Sequence, residues 1–169
     1  MDALELETRR RIYQTILKNP GIHIREIQRK TGLAIGVLTY NLEVLENTGY
    51  LRSELKDGKK YYFPYTFPYS DSRMLMFMRE PTPRKILLLL LQHPCTFNEL
   101  LQNVGKSRGV VYTHISRMVK EGVVGQKQSE NGTLYYVCLP EKVKSIFLTY
   151  RESFYDGALE RFIELWSGV

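Results

Sequence analysis

Residues 34–63, AIGVLTYNLEVLENTGYLRSELKDGKKYYF, decide the fold. Leu38, Leu42 and Leu45 recur at helical spacing and mark one apolar face of a helix over residues 35–48. Gly49 stands where a left-handed C-terminal cap ends such a helix. Two short strands then flank Asp57-Gly58, a dipeptide suited to a tight hairpin turn. Upstream, an apolar helix from Arg9 to Lys18 is stopped by Pro20, and a short helix spans Ile24 to Lys30. The turn Gly32-Leu33-Ala34 joins the short helix to the long one.

The same order of signals returns later in the chain. Residues 10–20 match 84–94 at an offset of 74, and residues 25–49 match 98–122 at an offset of 73. Gly32, Gly36 and Gly49 therefore fall opposite Gly105, Gly109 and Gly122. With one more inserted residue, Gly58 faces Gly132, and Tyr61-Tyr62 faces Tyr135-Tyr136. The second copy has an apolar helix from Pro83 to Gln92 stopped by Pro94, and a short helix from Phe97 to Asn103. Thr96 and Glu99 have the spacing of a capping box at the start of that short helix. The turn Gly105-Lys106-Ser107 leads into a helix over residues 107–121, with Val111, Ile115 and Met118 on one face. Its hairpin is expected to turn at Asn131-Gly132. Glycines in step across two segments argue for one fold used twice, each copy of about 60 residues around its own core.

Helix, helix, tight turn, helix and hairpin is the winged helix-turn-helix order. The chain resembles that family, specifically its ArsR- and MarR-like bacterial and archaeal regulators. In copy one the resemblance rests on residues 34–63, and in copy two on KSRGVVYTHISRMVKEGVV (106–124) with NGTLYYV (131–137). Two copies in one short chain look most like archaeal tandem winged-helix transcription regulators. The expected fold is mainly α with small β-hairpin wings, an α+β class. Domain one is expected over 1–64, an apolar helical linker over 65–81, domain two over 82–139, and a C-terminal dimerisation helix over 140–169.

Composition narrows the function classes. The chain has 169 residues, 24 Lys+Arg against 18 Asp+Glu, a net charge of +6 and a pI near 9.3. Its longest pure apolar run, Ile86 to Leu91, is far short of the roughly 20 residues of a membrane span. The acidic N-terminus lacks a secretory pattern, so the expected location is the cytoplasm. Phosphate-binding glycine loops, nucleophile elbows, paired catalytic carboxylates and metal-ligand clusters are not found, so neither an enzyme nor a cofactor is expected. By segment, net charge is +3 over 1–64, zero over 65–81, +4 over 82–139 and −1 over 140–169. Positive charge on both repeats and none on the frame suits two modules that face double-stranded DNA.

If the resemblance holds, the second helix of each pair enters the major groove and reads base edges with its N-terminal half. The outward positions of copy one are Ile35, Gly36, Thr39, Tyr40 and Glu43, with Arg25, Arg29 and Lys30 fixing the preceding helix to phosphates. Those of copy two are Lys106, Ser107, Arg108, Tyr112, Thr113, Ser116 and Arg117. Glu43 and Glu46 make the first reading helix acidic, whereas Lys106, Arg108, Arg117 and Lys120 make the second basic. Copy two is thus expected to be the stronger reader. The first hairpin carries Lys56, Lys59 and Lys60 toward the DNA backbone, although a solvated hairpin tip would carry lysines equally well.

The linker holds Met74 to Met78, five apolar residues in a row, after Ser70 as a candidate helix cap. The tail shows helical periodicity from Glu141 to about Ser167 with apolar residues on two sides. Tyr150, Phe154, Leu159, Phe162, Ile163 and Trp166 are expected to form the interface of a homodimer. The alternative is that this helix folds back on its own linker. Cys95 and Cys138 are expected as two unrelated thiols, with pairing as the alternative. No small-molecule ligand is expected. The function implied is sequence-specific binding of promoter DNA. The competing reading is a protein-interaction or chromosome-segregation adaptor of tandem winged helices.

Overall fold

The computed structural model describes residues 2–154 and 164–165. The chain divides into two units, Met1–Ser72 and Arg73–Val169. Each contains a winged helix-turn-helix of three helices and a three-stranded antiparallel sheet, and the second unit carries further helical segments before and after it.

Unit one runs α1 (Glu7–Lys18), β1 (Ile22–His23), α2 (Ile24–Thr31), α3 (Ile35–Asn47), β2 (Leu51–Lys56) and β3 (Lys59–Pro64). Its sheet order is β1-β3-β2. Ile12 and Ile16 of α1, Ile27 of α2, and Leu38, Leu42 and Leu45 of α3 close one core with Ile22, Leu51 and Tyr62 of the sheet. The apolar spacing seen in the sequence is thus the buried stripe of each helix. Gly49 takes φ 79°, its N–H donating to the Glu46 carbonyl while that of Tyr50 donates to Leu45. That double bond pattern ends α3 in a Schellman motif and aims the chain into β2. Asp57 (φ 50°) and Gly58 (φ 73°) form the wing turn, both left-handed as a type I′ hairpin requires.

Helix α4 (Tyr69–Arg79) follows, with Ser70 inside its first turn donating to the Asp71 carboxylate rather than capping from outside. Met74 to Met78 are all buried. Unit two continues with α5 (Pro81–Gln92), β4 (Cys95–Thr96), α6 (Phe97–Val104), α7 (Arg108–Lys120), β5 (Val124–Ser129), β6 (Gly132–Val137) and α8 (Pro140–Thr149). Its sheet order, β4-β6-β5, repeats that of unit one. The Thr96–Glu99 capping box is formed in both directions. Arg84 is buried and donates to the carbonyls of Met78 and Arg79, closing the C-terminal end of α4.

Two expectations are corrected. The second wing turns at Glu130-Asn131, not Asn131-Gly132, since Ser129 pairs with Gly132. With Lys56 paired to Lys59 in unit one, no residue is inserted in the second wing, and the offset of 73 holds from β1 onward. Tyr62 therefore corresponds to Tyr135, each opposite the first residue of its short strand. The tail is also not one helix from Glu141 to Ser167. Helix α8 ends at Thr149, and residues Arg151–Phe154 form a 3-10 turn. Phe154 packs edge-on against Phe147, centroids 5.7 Å apart, and the Arg79 guanidinium lies 4.9 Å from its ring centre. Phe154 is therefore buried within its own unit instead of lying on a dimer face. Tyr150 is half-buried beside it, while Leu159, Phe162, Ile163 and Trp166 lie outside the described residues.

Candidate nucleic-acid interface

Helices α3 and α7 both leave their N-terminal halves in solvent. In unit one, Gly32 ends α2 at φ 70° and the short link to α3 exposes Ile35, Gly36, Val37, Thr39, Tyr40 and Glu43 along one side. Thr39 is exposed and donates its hydroxyl to the Ile35 carbonyl (2.9 Å). Arg25, Arg29 and Lys30 are exposed on α2, Arg29 at 3.8 Å from Glu26. His23 caps α2 by accepting the Arg25 N–H (3.2 Å), and burial holds its imidazole below the ordinary value.

The acidic character expected of α3 is partly cancelled by its own wing. Lys60 Nζ reaches Glu46 at 2.8 Å, and the Ser53 hydroxyl donates to the same carboxylate. The hydrogen bond from Lys60 to Glu46 raises the Lys60 ammonium above its usual range. Lys60 thus ties β3 to α3, while Lys59 is exposed at the wing tip and Lys56 is half-buried. Leu55 is 77% exposed on the same wing, an apolar side chain that sequence reasoning passed over.

In unit two, Ser107 caps α7 by accepting the Val110 N–H (3.4 Å). Lys106, Arg108, Gly109, Val110, Tyr112, Thr113 and Ser116 are exposed. Thr113 donates to the Gly109 carbonyl (2.8 Å), as Thr39 does to Ile35. Arg117 departs from expectation. It turns away from the exposed side toward Glu80 (3.8 Å) and lies 5.7 Å from the centre of the Phe77 ring. With Arg73–Glu121 at 3.3 Å, it fastens α7 to the residues before it. His114 is half-buried and its Nδ1 has no hydrogen-bond partner; burial holds its imidazole below the ordinary value.

Phe97, at the start of α6, was not singled out from the sequence. The Arg108 guanidinium lies 5.0 Å from its ring centre, and Tyr112 meets it edge-on at 6.3 Å. These residues line a pocket of about 590 Å³ with Thr96, Asn98, Gly109, Asn131, Thr133 and Tyr135. Cys95 and Cys138 are both free thiols, Cys95 buried and Cys138 exposed, and burial pushes the Cys95 thiol up. Among the described residues, no helix is long and apolar enough to cross a membrane. Nor does any group of three His, Cys, Asp or Glu side chains among them suit a metal ion.

Residues 6–75 match a family described as an N-terminal HTH domain, and residues 80–125 match the ArsR family of bacterial regulatory proteins. An uncharacterized HTH-type transcriptional regulator of Methanocaldococcus jannaschii is 27% identical over 131 residues. The match takes in 78% of this chain but 33% of that protein, so the chain spans about a third of the relative's length. Among solved structures, a predicted DNA-binding transcriptional regulator from E. coli is 27% identical, with a TM-score of 0.42 over 48% of this chain and 85% of its own. ScpB from Mycobacterium tuberculosis is 12% identical, with a TM-score of 0.31 over 86% of this chain and 97% of its own.

Proposed function

Because the chain is a tandem helix-turn-helix protein with an ArsR-type second domain, we propose that it is a transcription regulator binding promoter DNA sequence-specifically. One observation carries this reading. Helices α3 and α7 leave their N-terminal halves exposed at equivalent positions 73 residues apart, and α7 begins at Arg108 with Lys106 two residues before it. A helix so placed is what the major groove admits, with side chains at its start reaching base edges. Copy two is the stronger reader, through Arg108, Tyr112, Thr113 and Ser116, with Lys106 on phosphate. Copy one reads through Ile35, Gly36, Thr39 and Tyr40, while Arg25, Arg29, Lys30 and Lys59 contact the backbone. The active form is a two-fold dimer held by the C-terminal segment, with Leu159, Phe162, Ile163 and Trp166 at the interface.

Selection of bound duplexes from a random pool, followed by salt titration of the winner, tests the reading. Enrichment of one motif in two half-sites about 10 base pairs apart is expected, with a salt slope of about 0.9 per phosphate contacted. Steep salt dependence without enrichment would reduce the protein to a non-specific binder. Failure to bind at low salt would overturn the reading. Light scattering of the chain cut after Phe154 should show a monomer; an unchanged dimer would refute the interface.

A further inference from the structure

The pocket at the start of α6 and α7 is built from side chains that the fold does not require. At the offset of 73 residues, the counterparts of Phe97, Arg108 and Tyr112 in unit one are Ile24, Ile35 and Thr39. The same helix-turn-helix therefore forms without a ring pair or a guanidinium at these places. In unit two the rings of Phe97 and Tyr112 meet edge to face, Arg108 lies over Phe97, and Tyr112 stays 61% exposed. Asn98, Asn131 and Tyr135 place amide and hydroxyl groups around the same space of about 590 Å³. Aromatic walls, a few polar groups and one charge in a volume of this size are the make-up of a small-ligand site.

We propose that this pocket is a nucleotide site. One base stacks on the exposed Tyr112 ring, which the Phe97 ring meets edge-on, Asn98 and Asn131 meet its edge, and its phosphate lies on Arg108. An asparagine amide offers a donor and an acceptor side by side, which matches the adenine edge and makes adenine the preferred base. A free mononucleotide and an unpaired base of a DNA strand share this chemistry. Binding itself stands apart from the regulator reading, but its consequence rests on that reading. Arg108 and Tyr112 are also assigned to the duplex, so an occupied pocket and a bound duplex exclude each other.

The test titrates the full chain with AMP, with ribose 5-phosphate and with single-stranded oligo(dA), by calorimetry and by anisotropy. AMP should bind roughly tenfold or more tightly than ribose 5-phosphate, since stacking of one base is worth about that factor. Tyr112→Ala and Phe97→Leu should erase the difference, whereas Tyr65→Ala, which removes an exposed ring elsewhere, should leave it intact. AMP should also release bound duplex. Binding of oligo(dA) alone would support the site and assign its base to an unpaired DNA strand. Neither ligand binding at millimolar concentration, or equal binding by Tyr112→Ala, would overturn the proposal. AMP binding without release of duplex would overturn the exclusion. Loss of duplex binding with AMP binding intact would sink the regulator reading and support the site.

Discussion

Two arginines on one helix should fail in opposite assays. Arg108 begins α7 in solvent, and Arg117, about two and a half turns on, faces Glu80 and the Phe77 ring. The Arg117 and Glu80 side chains are 29% and 32% exposed at 3.8 Å, a pair worth up to about 1 kcal/mol. The ring contact at 5.7 Å adds about 0.5–1 kcal/mol. Arg117→Ala should therefore cost about 1–2 kcal/mol in urea unfolding, with duplex affinity changed less than about twofold. Arg108 has only its stack on Phe97 to lose, so Arg108→Ala should cost under about 0.5 kcal/mol of stability. Its cost should appear in binding, about 1–3 kcal/mol on the selected site and less on random duplex. Anisotropy on both duplexes and urea midpoints of both variants settle the matter. If Arg117→Ala lost tenfold in affinity at unchanged stability, the orientation argued for it would be refuted. Equal loss on both duplexes for Arg108→Ala would make that residue a phosphate contact.

Four further outcomes follow from the geometry. Glu46→Gln should cost at most about 1 kcal/mol, because Lys60 is half exposed, and should strengthen duplex binding while steepening the salt slope by about 0.9. Arg52 is buried, donates to the Phe67 carbonyl (2.9 Å) and Ser72 (2.7 Å), pairs with Glu54 and stacks on Tyr69 at 3.8 Å. Arg52→Ala should cost about 3–5 kcal/mol in urea unfolding and speed hydrogen exchange near Ser72. Burial first, and Arg117 after it, hold the His114 imidazole below 6.5, against an opposing pull from Glu80. The unfolded chain then takes up the proton more readily, so stability is full above about pH 7 and falls as pH drops below the ordinary histidine value. His114→Asn should flatten part of that fall below the ordinary histidine value, and His23, whose shift has the same sign, contributes another part. Gly125→Val should cost about 1–3 kcal/mol by thermal unfolding, because a Cβ there would collide with the Tyr136 ring.

Most of the fold was legible because its determinants are local. The stripe Leu38-Leu42-Leu45, the caps at Gly49 and Gly122 and the capping box at Thr96 each lie within one helix, where periodicity and φ preference act directly. The errors fall where a distant side chain decides. Val143, Phe147, Tyr150 and Phe154 keep helical spacing, so nothing local marks the end of α8. The 3-10 turn is held by Arg79, which donates to the Ser153 carbonyl at 3.3 Å from 74 residues away. Arg117 fails for the same reason. Its spacing puts it on the polar side of α7, and only Glu80 and Phe77 turn it inward.

The second wing shows the same competition within a hairpin. Asn131-Gly132 is the stronger turn dipeptide, yet the turn forms one residue earlier. Gly125 lies directly opposite Tyr136, whose ring covers the space that a side chain at 125 would fill. A turn at Asn131-Gly132 would slide β6 by two residues and set Tyr136 against Lys127, leaving Gly125 uncovered. Val124 would also lose its partner Val137, a buried apolar pair at the base of the wing. Register is thus fixed by which side chains meet across the strands, and the turn takes the residues that register leaves it. On its other edge β6 sets Tyr135 opposite Cys95 of β4, beside the start of α6, and so completes a pocket whose chemistry sets unit two apart from unit one.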